Sequence, residues 1–390
     1  MDYQNKVKRF SLLVLFIVVG VCLADGVGHL ICRLWKGVFL WEVTEETGLF
    51  NIRPFTEFVA DDRMVTNKKN YRYTCVAGNQ SYKPWTLITD ANGFRVGLNQ
   101  YHENLENIVF LGASTLFGWG VEGDKTIPSK FYQLLSPDQQ KRFGVINASV
   151  PAYSLYQTVK RYEYEIHDRF QVKMVIFQIY NPVTPFLFWG KNWNKKICWT
   201  SRNTTSRLED LIRYHQNQQG LSGVRRWVNR YSSIHYVWGE LVNKIKFSQL
   251  TKTDIYDEET MMHFDKENGD TLEELVSLLK PKNIPLILVS SNPAVSIEEG
   301  LRHPWTKVFF SVVQRYNRFL KSFAHSHENV FYLDTAAHFD RLGREGCFVD
   351  ACCHLSEYGA QREAQYIYDA VHWEEIEGGA EKETYVKTTE

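Results

Sequence analysis

The chain has 390 residues with 45 basic and 45 acidic side chains, so its formal net charge is zero. That balance excludes a nucleic-acid binder, which would carry a basic face. A hydrophobic fraction of 44% allows one large domain or two ordinary ones with a substantial core. Eleven tryptophans are a surplus; such residues line sugar or acyl grooves but more often fill cores.

Lys6, Lys8 and Arg9 precede an apolar run from Phe10 to Ala24. The run alone is short for a spanning helix and has the length of a signal-peptide core. After Asp25 the apolar pattern resumes to Ile31, ahead of Arg33 and Lys36. Residues 10–36 therefore read as an uncleaved signal anchor in preference to a signal cleaved after Ala24. Under either reading residues 1–9 stay in the cytoplasm and the bulk of the chain lies outside. Cys75, Cys198, Cys347, Cys352 and Cys353 then sit where disulfides persist. Their odd number leaves at least one unpaired or bonded to another chain. No spacing suggests zinc, so neither a metal nor a cofactor is expected. Asn79 and Asn203 match glycosylation acceptors; Asn147 also matches but lies at the end of a buried strand.

Residues 37–106 lack a helical period and read as an irregular extension. From Asn107 strands and helices alternate. The strands are Ile108–Leu111, Phe143–Asn147, Met174–Tyr180, Ile284–Val289 and Val330–Leu333. Helices are expected after Thr126, over Tyr153–His167, from Trp305 to Phe323 and over Ser356–Val371. This order predicts a three-layer α/β/α domain over 107–373 with a five-stranded parallel, flavodoxin-like sheet. Between about 186 and 270 the alternation breaks, which predicts a helical insertion serving as a lid or as structural elaboration. Residues 374–390 read as a charged, disordered tail.

In such a sheet the loops at the carboxyl ends of the strands converge on one crevice. The first carries Ser114 in Gly112-Ala113-Ser114, the second Ala152, the third Asn181, and the last Asp350-Ala-Cys-Cys-His354. A serine in a βα turn is as readily an ordinary loop residue as a nucleophile. A serine, an asparagine and a histidine converging is equipment for acyl transfer.

Those blocks resemble the SGNH (GDSL-like) hydrolase superfamily over about 107–372, the insertion excepted. Each departs from the usual pattern. Ala113 replaces the acid of Gly-Asp-Ser, and Ala152 replaces a glycine. Ile179-Tyr180-Asn181-Pro182 stands for Gly-x-Asn-Asp, and Ala351 occupies the aspartate place of Asp-x-x-His. Asp90-Ala-Asn-Gly-Phe-Arg is similar to a lead-in of exported, membrane-anchored members. The resemblance implies Ser114 as nucleophile and His354 as general base. It also implies an oxyanion hole from the Ser114 and Ala152 backbone N–H groups and the Asn181 amide. Asp350, one residue farther from His354 than the family spacing, is the nearest carboxylate to orient the imidazole, the rival being a Ser–His dyad in which a backbone carbonyl or water takes that place. The implied protein is an extracytoplasmic, membrane-anchored serine esterase acting on an acylated small molecule or glycan, deacetylation being one case. An acyltransferase and a non-catalytic binding protein are the alternatives. Neither nucleic acid nor a cofactor is an expected partner.

Overall fold

The computed structural model describes residues 2–36, 47–49, 56–59, 61, 63, 65–77, 83–179, 233, 258–302 and 307–378. Its centre is a sheet of five parallel strands: β6 (Glu106–Gly112), β7 (Phe143–Asn147), β8 (Gln171–Gln178), β9 (Leu286–Val289) and β10 (Val330–Leu333). They lie in the order β10-β9-β8-β6-β7, so the chain starts near one edge, steps outward once, then crosses back to the other edge. That reversal creates the crevice at the carboxyl ends of β6 and β8.

Side chains alternate strictly between the two faces, as the period of two requires. Val109, Leu111, Val175, Phe177, Leu286 and Leu288 enter one core. Helices α5 (Leu155–Glu165), α6 (Glu258–Leu279) and α8 (Lys307–His325) cover it through Val159, Leu275 and Leu320. Ile108, Phe110, Met174, Ile176, Ile287 and Val289 enter the other. There α3 (Ile127–Leu134), α9 (Thr335–Leu342) and α10 (Glu357–Ala370) pack through Phe131, Phe339 and Ala364. The three-layer α/β/α expectation holds. Short helices α2 (Ser114–Phe117), α4 (Pro137–Arg142), α7 (Ile297–Arg302) and α11 (Trp373–Gly378) complete it. The last shows that the tail begins as helix, not disorder; residues 379–390 lie outside the described residues.

Two further expectations change. Residues 258–270, assigned to the insertion, belong to the 22-residue helix α6, which packs on α5 within the core. The rest of the insertion, Ser233 excepted, lies outside the described residues. The extension before β6 is not irregular. It holds β1 (Thr47–Leu49), β2 (Thr56–Phe58), β3 (Val65–Asn67), β4 (Arg72–Ala77) and β5 (Trp85–Ile88). These form a three-stranded sheet, β1-β4-β5, and a two-stranded one, β2-β3. Strands of three to six residues are too short to leave a periodic signature.

The extension is bonded into the domain. Phe94 is fully buried in the sheet's core. The Arg95 backbone N–H donates to the Asn147 carbonyl (3.1 Å), and its buried guanidinium donates to the Val121 carbonyl (2.7 Å) while stacking on Trp85 and Phe117. From α5, Arg161 reaches back to Thr66 Oγ1 (3.1 Å) and the Gly93 carbonyl (3.0 Å), and Glu165 pairs with Arg63.

Helix α1 (Asp2–Lys36) contains a 24-residue apolar stretch, Ser11–Leu34. At 1.5 Å per residue this spans ~36 Å, enough for the ~30 Å hydrocarbon layer of a bilayer. Leu12, Phe16 and Leu23 are exposed, whereas Gly28, His29 and Cys32 form a covered stripe. Ser233 Oγ donates there to the Asp25 carbonyl (2.5 Å).

Candidate active site

The turn that carries Ser114 follows from steric demands at β6. A Cβ on Gly112 would lie 2.2 Å from the Gln178 carbonyl oxygen of the neighbouring strand, so no side chain fits there. The chain then enters α2 at Ser114. Gly118 (φ +83°) ends that single turn in the left-handed conformation and donates to the Ser114 and Thr115 carbonyls. Trp119 N–H also donates to the Ser114 carbonyl (3.0 Å). Asn147, fully buried, donates from Nδ2 to the Leu116 carbonyl (3.1 Å) and ties the turn to the end of β7. Burial explains why its match to a glycosylation acceptor has no bearing here.

His354 lies in a loop closed by the Phe348–Leu355 bridge, just before Ser356 caps α10 through the Gly359 N–H (3.1 Å). Its Nε2 is 2.9 Å from Ser114 Oγ, and its Nδ1 is 2.5 Å from Asp350 Oδ2. The other Asp350 oxygen, Oδ1, accepts from the backbone N–H groups of Cys352 (3.0 Å), Cys353 (3.0 Å) and His354 (3.1 Å). A carboxylate accepts only, so Nδ1 carries the proton and Nε2 presents its lone pair to the serine hydroxyl. The Asp350 and His354 side chains are 9% and 14% exposed, which strengthens their attraction while leaving the site open to a ligand.

The structure thus brings Ser114, His354 and Asp350 into one hydrogen-bonded line. The second loop reaches the same place, since Val150 N–H donates to the Gly112 carbonyl (3.1 Å). Ala152 is exposed two residues later and adopts φ +64°, the conformation a glycine would favour. Asn181 lies outside the described residues. Among the described residues no group of His, Cys, Asp or Glu side chains is arranged to hold a metal ion.

Two features escaped the sequence. Trp119 sits beside His354 (centroids 6.3 Å apart) and is backed edge-on by Trp85 of the extension (5.3 Å). The Gly118-Trp119-Gly120 spacing was its only signal. Glu363 is fully buried behind the strand ends, where Gln178 Nε2 (2.7 Å) and Asn292 Nδ2 (3.5 Å) donate to its carboxyl group. Burial pushes its pKa up to about 7, against the lowering effect of these hydrogen bonds and of Arg344.

A five-stranded parallel sheet of this order, with a serine in the turn after its first strand and an Asp–His pair ahead of its last helix, is the three-layer α/β/α arrangement that the resemblance to SGNH (GDSL-like) hydrolases implies. No family model and no curated protein matches the chain. Among solved structures it is similar to an acetylxylan esterase from Geobacillus stearothermophilus, at 16% identity and a TM-score of 0.39 over 73% of this chain and 97% of that one. It is also similar to a member of the lipolytic G-D-S-L family from Veillonella parvula, at 13% identity and a TM-score of 0.36 over 68% of this chain and 97% of that one.

Proposed function

We propose that the chain is a membrane-anchored serine esterase that removes acyl groups, acetyl among them, from a glycan outside the cytoplasm. The observation that carries this reading is the continuous line from Ser114 Oγ through His354 to Asp350. A serine hydroxyl is inert near neutral pH until a base takes its proton. His354 Nε2 takes that proton as Ser114 Oγ attacks the ester carbonyl, and Asp350 stabilises the imidazolium. The tetrahedral oxyanion is held by the Ser114 and Ala152 N–H groups and the Asn181 amide. His354 then protonates the leaving alcohol, giving an acyl-serine and the free hydroxyl of the glycan. Water, deprotonated by the same nitrogen, releases the acid. Trp119 and Trp85, both buried, back the imidazole from behind and hold its side of the site in place. Lys6, Lys8 and Arg9 ahead of the apolar stretch of α1 support the cytoplasmic amino terminus and the exported domain.

The test is a fluorophosphonate probe on the full-length protein in detergent, with the adduct mapped by mass spectrometry. Ser114 is the expected site, and short-chain aryl esters should be hydrolysed. A label on another serine that persists in Ser114→Ala would overturn the assignment. Transfer of the acyl group to an added glycan in preference to water would make the chain an acyltransferase.

A further inference from the structure

Two residues of the Asp350–His354 loop have no part in the proton relay. Cys352 and Cys353 are adjacent, and their sulfurs lie 2.6 Å apart. Neither is in a disulfide. Cys352 is exposed and Cys353 is buried. Both backbone N–H groups donate to Asp350 Oδ1, and the Cys352 carbonyl accepts from Ala294 N–H (2.7 Å). The two thiols therefore sit within the few peptide units that set the distance from Asp350 to His354.

We propose that Cys352 and Cys353 are a covalent modification site: they close into a vicinal disulfide that braces the loop holding Asp350 against His354. The functional consequence rests on the esterase reading above; the bond itself does not. With the sulfurs in contact while the Asp350 and Ser114 hydrogen bonds of His354 are intact, ring closure needs only a small approach and leaves the relay in place. The ring removes torsional freedom from the two peptide units that Asp350 Oδ1 organises. Opening it returns that freedom to the catalytic loop.

The chemistry is a thiol–disulfide exchange with an oxidant of the disulfide class, either a small-molecule disulfide or an oxidising disulfide protein. The exposed Cys352, as its thiolate, attacks one sulfur of the oxidant R–S–S–R. A mixed disulfide forms and one thiolate leaves. Cys353 loses its proton to water and attacks Cys352 Sγ, expelling the second thiolate. The protein gives up two electrons and two protons, and the oxidant becomes two R–SH. Burial raises the Cys353 thiol well above its ordinary value, consistent with Cys352 acting first. Adjacent Cα atoms are ~3.8 Å apart, closer than in ordinary disulfides, so the bond is one that mild reductants open.

The experiment uses the full-length protein in detergent, alkylated without reductant after exposure to oxidised glutathione, then digested. Cys352 and Cys353 should resist alkylation and appear in one peptide lighter by two hydrogens. Both should alkylate after dithiothreitol. In parallel, the rate of fluorophosphonate labelling at Ser114 should fall about tenfold on reduction. Cys352→Ser with Cys353→Ser should show the slow rate with or without reductant. Either cysteine alkylating freely under oxidation, Cys352 bonded instead to Cys198, or a labelling rate unmoved by reduction would overturn the proposal. A vicinal disulfide in a protein whose Ser114 never labels would support the modification and overturn the esterase reading.

Discussion

Asp350 uses its two carboxylate oxygens for two different tasks toward His354: Oδ2 bonds the imidazole Nδ1 at 2.5 Å, while Oδ1 accepts the backbone N–H of the same residue at 3.1 Å. The second contact explains how the longer spacing is absorbed. Oδ1 also gathers the N–H groups of Cys352 and Cys353, so the extra residue is wound into a turn around one oxygen. The resulting loop folds Asp350 back under the ring that it holds.

Asp350→Asn should abolish most activity with little loss of structure. The three backbone donors keep the amide oxygen in the Oδ1 position, so the amide NH2 faces Nδ1. A donor there forces the proton to Nε2, and His354 can no longer take the proton of Ser114. We expect kcat on an aryl acetate to fall ~10³- to 10⁴-fold with an unchanged melting temperature. Retention of more than a tenth of the activity would show that Asp350 is dispensable.

Ala152→Gly should stabilise the protein. A left-handed alanine costs about 1 kcal/mol that glycine does not incur, partly offset by the greater freedom of glycine when unfolded. The expected gain is ~0.5 kcal/mol, read as a higher denaturant midpoint at constant slope. The backbone N–H is retained, so ester hydrolysis should persist. Ala152→Val should move the midpoint the other way, because a β-branched residue fits this conformation poorly.

Glu363 should make stability fall as pH rises. Its folded pKa of about 7 lies above the ordinary value of 4.5, so the folded state holds the proton longer than the unfolded chain does. The contribution is fully present below the unfolded value and is lost as pH climbs through about 7, a loss of order ~3 kcal/mol. Glu363→Gln keeps a neutral group of similar shape in place. Melting curves at pH 5 and pH 8 should show a smaller drop in the variant than in the wild type. An identical drop in both would remove Glu363 as the cause.

Protease added to intact cells, or to spheroplasts where an outer membrane intervenes, should digest the α/β domain and spare only α1. Full-length protein recovered from the soluble cytosolic fraction would contradict the anchored, exported topology. A mature chain starting at Asp25 would keep the export and remove the anchor.

The central sheet was legible because its strands are runs of Val, Ile, Leu and Phe buried on both faces; Phe143–Asn147 and Val330–Leu333 have the same bounds in sequence and structure. Ser114 and His354 were legible as strand-end and pre-helix residues. Asp350 could be chosen only as the nearest carboxylate, since the winding of three N–H groups around one oxygen has no sequence signature. The first half of α6 was hidden by its Asn268-Gly269-Asp270 interruption, which reads as a turn yet sits inside a continuous helix. The strands of the extension were hidden because their stability comes from elsewhere. Trp85 and Tyr73 pack on Phe117 and Trp119, and Arg161 of α5 bonds back to Thr66 and Gly93.

Because β4 and β5 pack against Phe117 and Trp119, and β1 pairs with β4, the globular body begins at Thr47 and not at Asn107. Only residues 37–46 separate it from the end of α1 at Lys36. Ten residues reach at most ~35 Å even when fully drawn out, whereas the seventy from 37 to 106 would reach ~240 Å. On the anchored reading this is a short leash. On that reading the body stays within this reach of the end of α1 and cannot range through a surrounding polymer. If the anchored reading holds, its substrates are those that come to the membrane surface.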